Sequence, residues 1–153
     1  MNTPRTLVLA LGNPLRGDDG IGAAVITQLE RMGVPPSADL LDGATAGLET
    51  VLLMQGYARV IVIDAAEMGK AAGTIARFTL DEVRLGTRDM YLRGTLHYAG
   101  LAEALALADA MGMMPDELLV IGIQPQVMDW ELALSDAVAA AVPSVCQAVL
   151  ELL

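Results

Sequence analysis

Residues 7–22 read LVLALGNPLRGDDGIG, and the order of elements in the chain follows from them. Leu7 to Leu11 form an apolar run typical of a short buried strand, and the glycines and proline that follow it turn a backbone sharply. A helix begins after this corner, with Asp18 suited to its N-cap and Asp19 in its first turn. Two carboxylates therefore stand at the carboxyl end of a strand, the edge of an open α/β sheet where ligands bind.

The ligand expected at this corner is a cation rather than a phosphate group. The glycines at positions 12, 17, 20 and 22 do not have the G-x-G-x-x-G spacing, and no G-K-[ST] follows them. A helix N-terminus attracts anions through its free N–H groups, but Asp18 and Asp19 would occupy that field themselves. The alternative is that the aspartates only cap the helix. Capping is the commoner role for Asp18 and the less common one for Asp19, because one cap is enough.

The composition excludes several classes of partner. A net charge of −10, with nine Lys and Arg among 153 residues, disfavours nucleic acid and anionic membrane because either would need a basic face. The longest apolar runs have about the length of a strand, so no membrane span is predicted. The chain enters its first strand almost at once, which leaves no room for a signal peptide, and the lone Cys146 gives no disulfide framework. We therefore expect a single cytoplasmic domain over residues 1–153.

Five strands and four helices are predicted, in the order β-α-β-α-β-β-α-β-α. The third strand, Ala58 to Ile63, delivers Asp64 at its carboxyl end. The fourth strand follows too soon for a parallel crossover and is predicted to be antiparallel. This order indicates an α/β fold, a three-layer α/β/α sandwich with a five-stranded, mostly parallel mixed sheet. The predicted strands are Leu7–Leu11, Ala38–Leu41, Ala58–Ile63, Thr74–Leu80 and Leu118–Ile123.

The last two helices carry recognisable end signals. Thr95 is predicted to cap the third helix, which places His97 in its first turn. Ser135 is predicted to cap the final helix, and Pro143 to kink or restart it. The buried stripe predicted for the third helix is Leu101, Leu105, Ala108 and Met111.

Residues 81–94 show no firm period and are predicted to form a loop. They include three basic residues, Arg84, Arg88 and Arg93. Two interpretations stay open for this loop: a solvated connection, or a mobile flap that grips a partner chain.

The sequence disfavours a protease that uses a serine or cysteine nucleophile. Such an enzyme needs a base beside its nucleophile, and the chain has one histidine, His97. No serine lies in a G-x-S-x-G turn, and Cys146 falls on the apolar side of the last helix, where a thiol is usually inert. Asp19, Asp64 and His97 instead supply two oxygens and a nitrogen with coordination positions left open, a set that divalent metals such as nickel or zinc accept. The alternative is that His97 is structural.

Five sequence blocks, in this order, resemble the hydrogenase maturation endopeptidases. The resemblance implies that the protein trims a C-terminal extension from the precursor of the nickel-iron hydrogenase large subunit after nickel has been inserted. The precursor is then its partner, and nickel arrives with the substrate. The blocks are GNPLRGDDGIG at 12–22, DGATAGLE at 42–49, VIVIDA at 60–65, LHYAGL at 96–101 and IGIQP at 121–125.

By the same resemblance, Asp19, Asp64 and His97 are the catalytic, nickel-contacting residues. Many relatives have Glu at the position of Asp19, so the side chain that carries the carboxylate is one methylene shorter in this sequence. Asp42 could equally be a turn residue bonded to its own backbone. The substrate contacts that the resemblance implies are Asp42, Thr45 and Gln124.

Three functions remain open. In a metal-dependent endopeptidase, nickel either polarises the scissile bond or serves only as a recognition handle while a carboxylate activates water. A non-catalytic nickel-binding chaperone would use the same ligands to shield the immature subunit. A small metal-dependent hydrolase unrelated to hydrogenase would bind its metal tightly when isolated.

Replacing His97 by alanine is expected to leave the protein folded and stable, because a partly exposed ligand contributes little to stability. Thermal unfolding of His97→Ala should give a melting temperature close to that of the wild type. A large drop would instead favour a buried, structural histidine.

Overall fold

The computed structural model describes the backbone of residues 3–86 and 96–153 and the side chains of residues 3–83 and 101–153. The strands are β1 (Thr6–Ala10), β2 (Ala38–Asp42), β3 (Arg59–Ala65), β4 (Ile75–Thr79) and β5 (Glu117–Ile123). The helices are α1 (Ile21–Met32), α2 (Thr50–Met54), α3 (Leu80–Gly86), α4 (Leu96–Ala110) and α5 (Asp136–Leu152).

The strands form one sheet in the order β2-β1-β3-β5-β4. β1 lies between β2 and β3 and is parallel to both, and β3 is parallel to β5. β4 pairs antiparallel with β5, as the short connection after β3 predicts. The predicted five-stranded, mostly parallel sheet with one antiparallel strand is confirmed.

Helices cover both faces of this sheet. One face packs against α1 and α5, and the other against α2, α3 and α4. β1 and β3 are buried on both faces, which explains why their sequences are continuous apolar runs rather than alternating ones. Within the described residues, no helix combines the length and the apolar composition needed to cross a bilayer.

The final helix, α5, runs without a break from Asp136 to Leu152 although Pro143 lies inside it. Of the two effects predicted for this proline, a restart of the helix is therefore wrong. The buried stripe of α5, which includes Val145, packs with α1 and stabilises the continuous helix. Cys146, on the same side, is buried as predicted.

The loop predicted for residues 81–94 is wrong at its start, because Leu80–Gly86 form α3. Val83 is 1% exposed and belongs to the core on the α2 and α4 side of the sheet. A helix of seven residues is too short to show a clear 3.6-residue period, so packing against β4 and β5 decides its structure. The remainder of that segment, with Arg88 and Arg93, lies outside the described residues, as do the predicted cap Thr95 and the side chain of Arg84.

The buried stripe predicted for α4 is correct except at its end. Leu101, Leu105 and Ala108 are at most 2% exposed, whereas Met111 is 57% exposed. α4 ends at Ala110, because Gly112 has φ +67° and turns the chain out of the helix. The prediction that Met111 continues the stripe is therefore wrong.

Helix α1 approaches the sheet most closely at Gly22. A Cβ at this position would lie 2.9 Å from the Cβ of Ala10 and 3.0 Å from the carbonyl oxygen of Ile63. The backbone of a central strand cannot retreat, so only glycine fits there. This contact sets the start of α1 directly beside the carboxyl ends of β1 and β3.

Replacing Gly22 by alanine is expected to lower the free energy of unfolding by about 1–2 kcal/mol, because the overpacking outweighs the higher helix propensity of alanine. Urea denaturation measures the change. Ala23→Gly in the same helix is the matched control, and we expect it to lose only about 1 kcal/mol through propensity. A Gly22→Ala protein at least as stable as the wild type would contradict the close packing.

Candidate functional site

The candidate site lies at the carboxyl ends of β1 and β3. Their parallel register sets Ala10 beside Ile63, and the N–H of Leu11 donates to the carbonyl oxygen of Ile63 at 3.0 Å. β1 leads directly into the glycine corner, and β3 continues through Asp64. The two segments that carry the predicted acidic ligands therefore start from the same edge of the sheet, as expected for parallel neighbours.

Asp19 lies in a short 3-10 helix, Gly17–Gly20, and not in the first turn of α1 as predicted. This 3-10 helix packs against β3. The Asp19 side chain is fully buried, and its Oδ2 accepts a hydrogen bond from the N–H of Asn13 at 2.8 Å. Gly12 has φ +132°, and a Cβ there would lie 2.1 Å from the carbonyl oxygen of Asp19. Because only glycine fits at position 12, the turn holds Asp19 in one place.

Asp64 is 4% exposed and sits within β3, opposite Gly122 of β5. The segment after β3 is tied to Gln124, the residue that follows β5. The Gln124 Oε1 accepts a hydrogen bond from the N–H of Met68 at 2.7 Å, and its Nε2 donates to the carboxylate of Glu67 at 2.9 Å. The Gln124 amide thus stabilises the backbone next to Asp64, and its predicted contact with substrate stays a prediction.

Asp19 and Asp64 are both almost completely buried, whereas the sequence predicts a site with open coordination positions. Burying an ionised carboxylate costs free energy unless hydrogen bonds or a cation compensate for the lost water. The bond from Asn13 to Asp19 provides part of that compensation. The two carboxylates are therefore fixed groups inside the protein rather than mobile surface acids.

The predicted set of Asp19, Asp64 and His97 stays a prediction, because the side chain of His97 lies outside the described residues. Among the side chains that are described, no three of His, Cys, Asp or Glu are grouped so that they could hold a metal ion. The backbone does place His97 in the first turn of α4, as predicted.

Helix α4 runs from the carboxyl edge of the sheet towards the amino edge. After Ala110 the chain soon enters β5 at Glu117. Gln55, near the amino end of β3, donates to the Sδ of Met113 at 3.7 Å, which fixes that end of the helix. The 15 residues of α4 rise about 22 Å, enough to cross the sheet. The first turn, with residue 97, therefore lies towards the edge that carries Asp19 and Asp64.

The sequence predicts that Asp18 caps α1, and this prediction is wrong. Asp18 instead binds a distant segment of the chain. The N-cap of α1 is Gly20. The buried Asp18 carboxylate accepts hydrogen bonds from the N–H groups of Gln126, Val127 and Ser135 and from the Ser135 hydroxyl, all at 2.7–2.8 Å. Ser135 is the N-cap of α5, as predicted, but its hydroxyl binds Asp18 and makes no bond to the helix.

These hydrogen bonds decide the ionisation of Asp18. Burial by itself would raise the pKa of the carboxyl, but the bonds from Val127, Ser135 and Gln126 outweigh it and lower the pKa below its ordinary value. The sequence contains one signal that an aspartate here has a role other than capping. Asp18 and Asp19 are adjacent, and a helix needs only one cap. The partner could not be identified from sequence, because Gln126 lies 108 residues away.

The loop at residues 42–45 is bonded to the same corner. The N–H of Gly12 donates to the carbonyl oxygen of Ala44 at 2.7 Å. The Oδ1 of Asp42 accepts a hydrogen bond from the N–H of Ala44 at 2.9 Å, so Asp42 is the turn residue that one interpretation predicts. Asp42 and Thr45 are both exposed, and their contact with substrate stays a prediction.

Comparisons with a family model and with individual proteins point to the same family. A model of the hydrogenase maturation protease family matches residues 23–152. The chain is 38% identical over 132 residues to a hydrogenase expression/formation protein of Azotobacter vinelandii, covering 84% of this chain but 62% of that relative. It is 32% identical over 149 residues to the hydrogenase 2 maturation protease of Escherichia coli, covering 95% of this chain and 88% of the relative. The chain thus spans less than two thirds of the first relative.

Two solved structures share the fold. The hydrogenase maturating endopeptidase HybD from E. coli has a TM-score of 0.87 and 29% identity, covering 97% of this chain and 91% of that one. A hydrogenase 2 maturation peptidase from a Thaumarchaeota archaeon has a TM-score of 0.73 and 36% identity, covering 97% of both chains. The similarity extends over nearly the whole α/β architecture.

Replacing Asp18 by asparagine is expected to lower the free energy of unfolding at neutral pH by about 2–3 kcal/mol. The amide nitrogen that takes the place of one carboxylate oxygen cannot accept the hydrogen bonds which that oxygen accepts. The folded pKa of Asp18 is lowered, so its contribution is present above its ordinary pKa of 3.8 and is lost as pH falls through the folded value. The stability difference between wild type and Asp18→Asn, from urea denaturation, should therefore shrink at acidic pH.

The matched control is Asp116→Asn, which changes an exposed carboxylate beside the opposite edge of the sheet. We expect it to unfold like the wild type at neutral pH. A difference between Asp18→Asn and wild type that stays constant down to about pH 2 would contradict the ionised clamp.

Proposed function

The chain belongs to the hydrogenase maturation protease family, and from that premise we propose that it is an endopeptidase acting on the precursor of a nickel-iron hydrogenase large subunit. The reaction is the removal of a C-terminal extension once nickel has been inserted. Cleavage would then allow the tail of the subunit to close over the metal centre.

The observation that carries this proposal is the origin of Asp19 and Asp64 on neighbouring parallel strands. Asp19 follows β1 and Asp64 lies in β3, and the hydrogen bond from Leu11 to Ile63 joins the two strands at that edge. The direction of α4 supports a position for His97 towards the same edge. Two carboxylates and an imidazole are donors that first-row divalent ions accept. The donor set therefore suits the nickel that a loaded precursor would carry.

In this proposal nickel is part of the substrate rather than a resident cofactor. Asp19, Asp64 and His97 would complete its coordination, so that only the loaded precursor binds productively. When bound, the ion supplies Lewis-acid polarisation of a carbonyl or of a water molecule. Asn13, which donates to Asp19, would keep that carboxylate oriented, as hydrogen-bonded neighbours of metal ligands do.

The protein's own residues also support a route in which nickel is only a recognition handle. A buried carboxylate can act as a general base, taking a proton from the attacking water that later passes to the leaving amine. Burial excludes bulk water and strengthens the electrostatic interactions in the site. Both routes require an ionised carboxylate at the candidate site and a peptide bond placed against the carboxyl edge of the sheet.

The proposed partner and compartment follow from charge and cysteine content. A net charge of −10 suits a protein partner better than nucleic acid or an anionic membrane. Cys146, the one cysteine of the sequence, is buried in the core. Because nothing in such a chain calls for an oxidising compartment, we take the cytoplasm as the place of processing.

Incubating the protein with purified, nickel-loaded large-subunit precursor is expected to release a C-terminal peptide, detected by mass spectrometry of both products. Asp64→Asn and His97→Ala should abolish the mass change, because the first removes the negative charge of a proposed nickel ligand and the second removes the imidazole. The matched control is Asp116→Asn, which should cleave at the wild-type rate because it lies beside the opposite edge of the sheet.

The other outcomes identify the rival functions. A stable complex with no mass loss would favour a non-catalytic nickel-binding chaperone and contradict the endopeptidase. Tight metal binding by the isolated protein, with the precursor left intact, would favour an unrelated metal-dependent hydrolase. Cleavage of the precursor before nickel insertion would contradict recognition of the ion.

A further inference from the structure

An apolar surface borders the turn that carries Asp19. It consists of Leu15, Trp130 and Leu132, which are 52%, 71% and 85% exposed, and we name it the Trp130 surface. Single exposed apolar residues are ordinary, but three on two joined segments beside a candidate site are typical of an interaction surface. Leu132 also lines a shallow cavity of about 220 Å³ together with Pro14 of the corner.

The Trp130 surface is held firmly to the corner. The N–H of Gly17 donates to the carbonyl oxygen of Glu131 at 2.8 Å, and the guanidinium of Arg16 donates to the carbonyl oxygen of Met128 at 3.0 Å. Arg16 also stacks over the Trp130 ring, 5.8 Å from its centroid. Since the Asp18 carboxylate clamps both ends of this segment, the exposed side chains have a fixed position relative to Asp19.

The charges around the Trp130 surface define the chemistry of its occupant. Asp129 and Glu131, on either side of Trp130, are both exposed. The segment 126–135 contains no lysine or arginine. The guanidinium of Arg16 lies over the Trp130 ring, so Arg16, Asp129 and Glu131 together leave this surface with a net negative charge. A complementary partner therefore presents an apolar side chain flanked by basic residues. A second copy of this chain fits poorly, because a symmetric contact would bring the same carboxylates together in two molecules that each carry a charge of −10.

We propose that the Trp130 surface is the docking site for the precursor, and that it receives a precursor segment in which an apolar side chain lies between lysine or arginine residues. This inference rests on the proposed function and adds where the partner binds. Asp19 and Asp18 then act on the same partner in different ways. Asp19 belongs to the reacting edge, and Asp18 is a positioning residue that holds the docking segment beside it.

The test compares cleavage kinetics of purified, nickel-loaded precursor by wild type and two surface variants. Trp130→Ser/Leu132→Ser is expected to raise KM roughly tenfold or more with little change in kcat, because it removes docking contacts and leaves the reacting edge intact. Asp129→Lys/Glu131→Lys should also raise KM, and the effect should fall at high salt. The matched control is Leu48→Ser/Leu52→Ser, which removes two leucines that are 53% and 65% exposed in and just before α2 and should cleave like the wild type.

Four outcomes would overturn the docking site. If both surface variants cleave with wild-type KM, the docking site is wrong and the proposed function stands. Equal losses in the Leu48/Leu52 control would show that the Trp130 surface has no special role. A wild type that dimerises in sedimentation equilibrium, with a monomeric Trp130→Ser/Leu132→Ser variant, would assign the surface to a second copy. If wild type neither binds nor cleaves the precursor, the proposed function fails as well.

Discussion

The parallel pairing of β1 with β3 is the interaction on which the rest of the structure depends. It is extended past the strands by the hydrogen bond from Leu11 to Ile63, so that both chains leave the sheet side by side. One leads into the corner with Asp19, and the other continues through Asp64. Gly22 lets α1 start within contact distance of this edge, and Gly12 lets the turn fold back onto Asp19. A side chain at Gly12 would collide with the backbone of Asp19, and one at Gly22 would push α1 away from β1 and β3.

The two adjacent aspartates serve different purposes. Asp19 is held by Asn13 and belongs to the edge formed by β1 and β3. Asp18 faces the segment after β5, whose N–H groups and Ser135 hydroxyl bind its carboxylate. Asp18, which is next to Asp19 of the candidate site, therefore holds the segment 126–135 in place beside that site. Asp18 thus links the candidate site to the segment that carries the Trp130 surface.

Much of the fold could be predicted from sequence, because the central strands are continuous apolar runs bounded by glycine and proline. The antiparallel β4 could be predicted from the shortness of its connection, and the acidic edge from Asp19 in the corner after β1 and Asp64 near the end of β3. The errors arose where distant contacts outweigh local pattern. The clamp at Asp18 depends on a segment 108 residues away, and α3 depends on burial of Val83. The predicted ligand set of Asp19, Asp64 and His97 stays a prediction, because the side chain of His97 lies outside the described residues.

The central claim is that Asp19, Asp64 and His97 contact the nickel of a loaded precursor. X-ray absorption at the nickel edge, recorded on the precursor alone and on its complex with this protein, tests it most directly. The account predicts that complex formation adds oxygen and nitrogen ligands to the nickel, and that Asp64→Ala and His97→Ala each remove one of them. A nickel spectrum that is unchanged in a complex that still cleaves the precursor would contradict it.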